Sequence, residues 1–443
     1  MNFMSLLFLF VFATFKGQQG FEVIDGKKST IKFKLINNLI FIPVNINGTE
    51  LTFLLDSGVN ETILFSLENK SVNFNNVEKI KFSGLGESQD IEGLKADKNT
   101  LTIGKNYKDS HHTIYVILNE NINFSSHIGI PVNGILGYHF FKDHPIEIDY
   151  IQKKITVYQD QNAIAKKLRK YEELPITIEG NKPYIIADVE MTHLRNPSKL
   201  LVDSGNSDAI WLFPKLISDF VYNRPNIDDY LGQGFNGDIF GKRSRIHRLY
   251  LGNFTFEKPL TAMPDEYSIQ HLSLVPDRKG SIGSDILRRF TVVFNYPEKK
   301  IYFRKNRNYD EPFLFNSSGL DIMHDGMSWE KDLVRIETKK KESIESINVY
   351  SAEEGFRYNF VLRPTYSVAG CRKDSPCYIA GIRKGDKIIS INNKNVGNFT
   401  LQKINDLLKN EDGTILHFRI EREGATTDHS VILKDPIPYQ DEN

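Results

Sequence analysis

Two aspartates in this chain are set up for acid–base chemistry. Asp56 lies in FLLDSGVNETILF and Asp203 in LLVDSGNSDAIWLF, each opening an Asp-Ser-Gly tripeptide directly after an apolar run. A tripeptide of this kind arises by chance roughly 0.1 to 0.2 times in a chain of this length, and one copy alone reads as a turn, because all three residues favour turns. Two copies in equivalent settings read differently. If the two loops face each other, both carboxylates cannot ionise cheaply and they share one proton. The ionised member takes a proton from a water held between them while the protonated member donates to a carbonyl oxygen, which is what amide hydrolysis without a covalent intermediate requires. Ser57 and Ser204 offer hydroxyls to bond the opposite loop. Gly58 and Gly205 permit close backbone approach and positive φ.

Such loops need a frame that brings them together, and an internal repeat supplies one. Asp203 follows Asp56 at an offset of 147 residues. NGILGYHFF around Gly137 answers KGSIGSDIL around Gly283, and IEIDYIQKKITVY (Asp149, Ile155) answers VVFNYPEKKIYF (Asn295, Ile301). Gly84-Leu85-Gly86 answers Gly232-Gln233-Gly234, and Leu101 to Gly104 answers Leu249 to Gly252. All of these landmarks hold the offset within two residues. The unit is too long for a solenoid repeat and fits a lobe. Short β-branched and aromatic runs between Gly, Asn and Asp turns make each lobe mainly β. The lobes are expected at residues 28–160 and 170–306, with AIAKKLRKYEEL between them as a short helix or linker. An approximate two-fold axis between such lobes sets their equivalent loops face to face, and so places Asp56 beside Asp203.

The doubled motif resembles the Asp-Thr/Ser-Gly and hydrophobic-hydrophobic-Gly signatures of pepsin-like and retroviral-type aspartic proteases. That resemblance implies two similar β-barrel lobes, an aspartic-type endopeptidase activity without cofactor, and a polypeptide substrate. It also assigns roles. Asp56 and Asp203 activate the water; Ile135, Leu136 and Gly137, with Ser281, Ile282 and Gly283, brace the loops; Gly84, Gly86, Gly232 and Gly234 are flap tips over an extended substrate. An ordinary hairpin turn is the other reading of Gly84 and Gly86. Val59 and Asn206 stand where the family usually has a small or hydroxyl residue that bonds the carboxylate, and Ser281 replaces an apolar brace. Without those hydroxyls the dyad is expected to hold its proton to higher pH, and activity to lie nearer neutral than acidic.

After Lys305 the pattern changes. Ser375-Pro376, Ala380-Gly381-Ile382 and Gly385-Asp386-Lys387-Ile388-Ile389 resemble the signature of bacterial-type PDZ domains. The resemblance implies an α+β module over residues 312–436 that binds peptide or protein C-termini as an added strand, the carboxylate held by backbone amides. On this reading Gly319, Leu320, Asp321 and Ile322 supply the carboxylate loop. A helix from Leu401 to Leu408, with Leu401, Ile404 and Leu408 on one face, forms the other groove wall. A module that only packs on the lobes and positions them is the alternative. Cys371 and Cys377 are the sole cysteines, so an exported chain can pair them as a disulfide, unless so short a loop forbids the geometry.

Lys and Arg number 56 and offset 56 Asp and Glu, so no global field favours nucleic acid or an anionic membrane. Residues 1–19 contain an apolar run, Leu6 to Phe15, of signal-peptide length and too short to span a bilayer. It reads as an export signal, which places the mature chain in a periplasm or outside the cell. No Lys or Arg precedes the run, and the small-residue cleavage rule is met only loosely around Gly17 to Gly20. A buried first strand or a membrane anchor is the other reading. No other segment is apolar and long enough to cross a membrane, so no transmembrane segment is expected in the mature chain. His111, His112, His139 and His144 lack ligand spacing and are expected as solvated loop residues, with no metal site. The rival class of function is a non-catalytic peptide-binding envelope or scaffold protein. Two mutually repelling carboxylates favour the enzyme.

Overall fold

A computed structural model describes residues 20–82, 91–117, 124–191, 194–217, 224–234, 237–269, 274–336 and 355–439. The chain is mainly β, with the sequence repeat visible strand by strand. In the first lobe, alternating apolar residues form the hairpin Leu39–Ile46 and Thr49–Leu55, with Leu51, Phe53 and Leu55 buried on one face. Asn47 and Gly48 turn the hairpin with positive φ at both positions, as a two-residue turn matched to strand twist requires. Its second-lobe counterpart is the pair Lys182–Glu190 and Arg195–Val202.

Each lobe then places a short strand beside its Asp-bearing strand. Gly134–Leu136 runs parallel to Thr49–Leu55 and antiparallel to Ile63–Leu64. Arg278–Ile282 runs parallel to Arg195–Val202 and antiparallel to Ile210–Leu212. A one-turn helix follows each, Tyr138–Phe141 and Ser284–Leu287. The lobes meet in a shared six-stranded sheet ordered Glu172–Pro175, Lys300–Lys305, Phe290–Asn295, Ile146–Asp149, Lys154–Tyr158 and Lys28–Lys32. At its centre Ile148 pairs with Val292 across the lobe boundary. The strand Phe290–Asn295 is buried at every position, and one apolar cluster draws Phe141, Ile148, Val292 and Phe294 from both repeats.

Among the described residues the second lobe does not form the expected barrel. The second-lobe sheet runs from edge to edge, and in the first lobe the long strands Ile91–Ile103 and Tyr107–Ile117 pair with each other as well as with their neighbours. The lobe boundary also lies earlier than residue 28. Phe21 is buried and stacks on Tyr107 at 4.8 Å, and Glu22–Val23 pairs with Tyr107 and Lys108. Between the lobes, Gln161–Leu168 is the helix expected, capped by Asp160, which accepts from the Ala163 N–H at 2.9 Å. The expected export signal lies outside the described residues. Among the described residues no helix is long and apolar enough to cross a membrane.

The C-terminal module is a separate sheet ordered Leu320–Ile336, Gly355–Cys371, Lys387–Ile391, Ile415–Arg422 and Ala425–Ile432, with its own apolar core. Ser375 caps the helix Pro376–Ile379, and Thr400 caps Leu401–Leu408 through the Lys403 N–H at 3.2 Å. Both ends of the module are tied back to the lobes. Phe313, Phe315 and Ile437 belong to the lobes' apolar core, and Arg245 donates to the Phe313 and Ile437 carbonyls.

Candidate active site

Asp56 and Asp203 meet at the lobe interface, at the ends of equivalent strands. The Asp56 N–H donates to the Leu136 carbonyl at 3.0 Å, and the Asp203 N–H to the Ile282 carbonyl at 2.9 Å. These bonds tie each Asp-bearing strand to its apolar-apolar-Gly segment. Ile135 and Leu136 are buried, as are Ser281 and Ile282. Gly137 and Gly283 leave no room for a side chain. A Cβ there would lie 2.1 Å from the Val59 carbonyl oxygen and 2.2 Å from that of Asp208.

The serines lock the loops together reciprocally. The Ser57 N–H donates to Ser204 Oγ at 3.0 Å, and the Ser204 N–H to Ser57 Oγ at 2.9 Å. Each hydroxyl then donates to the opposite strand, Ser57 to the Val202 carbonyl at 2.7 Å and Ser204 to the Leu55 carbonyl at 2.9 Å. Both serines are fully buried, so four bonds of good length are made in a dry interface. Within each loop a glycine N–H orients the carboxylate: Gly58 to Asp56 Oδ1 at 2.7 Å and Gly205 to Asp203 Oδ1 at 3.0 Å.

The glycines are needed for closeness, not for positive φ as expected, since neither takes that conformation. A Cβ on Gly205 would fall 2.1 Å from Asp56 Oδ2, and one on Gly58 would fall 3.0 Å from Asp203 Oδ1. The carboxyls are hydrogen-bonded to each other. Burial and the neighbouring Asp203 hold the Asp56 carboxyl well above the usual range. Burial also raises Asp203, but the Arg278 guanidinium, the Gly205 N–H, the bond from Asp56 and Lys182 oppose the rise. Asn206, one of the departures from the family pattern, spends its amide locally: it accepts from the Asp208 N–H at 3.0 Å and donates to Ser281 Oγ at 3.3 Å. Val59 has no polar atom to offer.

Of the expected flap tips, Gly84 and Gly86 lie outside the described residues. The arms that lead to them, Val77–Phe82 and Ile91–Ile103, form a paired hairpin. Gly232 and Gly234 sit near the end of the hairpin Ile227–Gly234 and Gly237–Arg245, Gly232 with φ of 143° and Gly234 paired with Gly237. The histidine expectation needs correction. His112 is buried, its ring bonded to Thr62 Oγ1 at 2.6 Å and Asp109 Oδ2 at 2.8 Å, and His144 bridges the carbonyls of Phe21 and Gln159. They are structural crosslinks of the first lobe. Period-2 reasoning had no way to find Asp109 as the partner.

In the C-terminal module Leu320, Ile322, Leu401, Ile404 and Leu408 are buried in the core, and of these Leu320 also borders a cavity. The carboxylate-loop region survives as a turn. Asn316 Oδ1 accepts from the Ser318 and Gly319 N–H groups at 3.2 and 3.3 Å. Gly319, Asp321 and Met323 line a cavity of about 1090 Å³ together with Asn405 and Lys409 of the module and Ser207, Asp208 and Arg243 of the second lobe. First-lobe residues cover the module's helix: the Asn37 N–H donates to Gln402, and a Cβ on Gly129 would lie 2.9 Å from Leu401 Cβ. The cysteines are free thiols. Cys371 ends a strand opposite Leu320, while Cys377 is buried in the module core, its thiol pushed up to about 12 by burial.

No curated protein matches the chain. Residues 367–422 match the model of the PDZ domain family, a match confined to the C-terminal module. It takes in the Ser375 cap, the Asp386 turn and the strand that ends in Arg422, where Arg422 clamps Asp386 with bonds of 2.6 and 2.7 Å. The motif chemistry and the family match converge on one segment, and residues 367–422 of this mainly β chain are a PDZ domain.

Proposed function

We propose that the two lobes form an aspartic-type endopeptidase, exported to a periplasm or to the outside of the cell, with the PDZ domain docking peptides or protein C-termini. The observation that carries this reading is the reciprocal Ser57–Ser204 lock, which holds two buried carboxyls against each other at the lobe interface. A purely structural turn has no use for that arrangement, because the pair is held at an electrostatic cost.

In the proposed mechanism Asp56 holds the shared proton and Asp203 is ionised, the assignment favoured by Arg278 acting on Asp203. Asp203 takes a proton from a water lying between the two carboxyls. Asp56 donates to the carbonyl oxygen of the scissile amide as the water oxygen adds to carbon. Collapse of the tetrahedral intermediate passes a proton to the leaving amine and returns the pair to its starting state.

Digestion of a peptide library by the chain from Gly20 onward, across pH, tests the proposal. Cleavage is expected from wild type, with rates falling about 10³-fold in Asp203→Asn. Undiminished cleavage by that variant would remove the mechanism. An inert wild type that still binds peptides would favour the scaffold reading. With no hydroxyl at positions 59 and 206, the pH–rate profile is expected to peak nearer neutral than acidic; a maximum below about pH 4 would count against this.

The docking role has its own test, deletion from residue 312 onward. Unchanged rate and selectivity on long substrates would leave the domain a packing element. The cover of first-lobe residues over its helix makes that the second reading.

A further inference from the structure

The two sides of the dyad differ in one respect the repeat does not predict. Tyr184 pairs with Leu201 as Phe41 pairs with Leu54, so Lys182 stands to Asp203 as Leu39 stands to Asp56, each continuing its antiparallel register by two residues. The Phe213 N–H donates to the Lys279 carbonyl at 2.8 Å, as the Phe65 N–H donates to the Asn133 carbonyl at 3.0 Å. Arg278, next to Lys279, is thus the counterpart of Val132. The first-lobe set, Leu39, Phe41, Phe65 and Val132, belongs to one apolar cluster. The second-lobe set is Lys182, Tyr184, Phe213 and Arg278, two cations and two aromatics.

Both cations are half-buried. Arg278 Nε donates to the Gly280 carbonyl at 3.1 Å, and its guanidinium lies 5.3 Å from the Phe213 ring centre. Glu179, which pairs with Lys182 across the hairpin, is taken by Lys199 Nζ at 2.7 Å. Among the described residues neither Lys182 nor Arg278 forms an ion pair. A dyad that shares one proton carries a single negative charge, so this side of the cleft holds one positive charge in excess. An uncompensated, partly desolvated cation is costly, and a guanidinium beside an ammonium is a good acceptor site for a carboxylate.

We infer that Lys182 and Arg278 form an anion subsite beside Asp203 that selects an acidic substrate side chain, Glu or Asp, on the second-lobe side of the scissile bond. The inference rests on the peptidase reading. An acidic side chain there neutralises the excess charge and accepts hydrogen bonds from both cations. The equivalent first-lobe residues are apolar and carry no charge, so the preference belongs to one side of the bond.

The test compares matched peptides carrying Glu or Gln at each position flanking the cleaved bond, with wild type, Lys182→Met and Arg278→Met. Each enzyme is assayed at its own optimal pH. Wild type is expected to prefer Glu by about 10-fold in kcat/KM at one position, and each variant to bring that ratio toward one. Equal cleavage of Glu and Gln peptides by wild type overturns the inference. So does a variant that moves the pH profile but leaves the ratio intact, since the cations then only tune the dyad. Binding of the same peptides to full-length Asp203→Asn, by fluorescence anisotropy, separates the two proposals. A Glu preference in binding that Arg278→Met abolishes supports the subsite even if wild type proves inert, whereas absence of any preference overturns it whatever the turnover.

Discussion

The first and second lobes share a backbone and differ in what they show the cleft. Strand pairing, the brace bonds of 3.0 and 2.9 Å, the serine lock and the glycine N–H bonds to the carboxylates are all duplicated. Leu39 and Val132 in one lobe are Lys182 and Arg278 in the other. Main-chain hydrogen bonds constrain the loop itself, because a buried N–H without a partner costs about 1–3 kcal/mol. Side chains one shell outward face no such constraint and have diverged. The symmetric part of the site positions the carboxyls; the asymmetric part sets two cations on the Asp203 side.

The largest effect that would break the comparison comes from Asp203→Asn. Beyond the loss of cleavage, the variant should be more stable than wild type at neutral pH. The folded chain raises the Asp203 pKa, so the stability linked to that proton is full below the ordinary carboxylate range near 4 and is lost as pH rises through the higher folded value. Asparagine escapes that loss. Thermal melts should show a Tm advantage that grows from pH 4 to 7, and a variant less stable at pH 7 would sink the repulsion argument.

Next come the glycines, where the symmetry is imperfect. Gly205→Ala drives a Cβ to 2.1 Å from Asp56 Oδ2 and should cost about 1–3 kcal/mol in urea unfolding, with most of the cleavage activity. Gly58→Ala meets its nearest atom at 3.0 Å and should cost distinctly less. Equal costs would mean that the loops relax independently of the carboxyls.

The serine lock tests what is shared. Ser57→Ala and Ser204→Ala should each cost about 1–3 kcal/mol, and the double variant less than their sum, because each removes partners of the other. An additive double variant would mean that the loops are held elsewhere. The smallest expected change is a shift in acidity. Replacing Lys182 and Arg278 by Leu and Val, the first-lobe residues, removes the charges that favour ionised Asp203. The pH–rate profile should move upward, and a downward shift would contradict the assigned direction.

Much of this was legible because duplication prints the same signal twice. Asp56 and Asp203 each follow an apolar strand at matching offsets, and the register alone pairs them. The helix Leu401–Leu408 was readable to the residue, from its apolar face. Its role was not. Leu401, Ile404 and Leu408 share a face in the sequence whether that face meets a ligand or a core, and here it meets a core. His112 escaped for the opposite reason, since Thr62 is distant in the chain and Asp109, three residues back on the same strand, reaches the His112 ring only where the strand register shifts.

By itself the sequence determined the repeat, the strand periodicity, the paired carboxyls and the PDZ segment, because each is written in local composition and spacing. Only the tertiary structure decided that Gly58 and Gly205 are required for proximity and not for φ, that the first lobe covers the PDZ helix, and that two cations stand on one side of the dyad. Those are contacts between residues far apart in the chain. Their distances follow from how sheets pack, which no local pattern encodes.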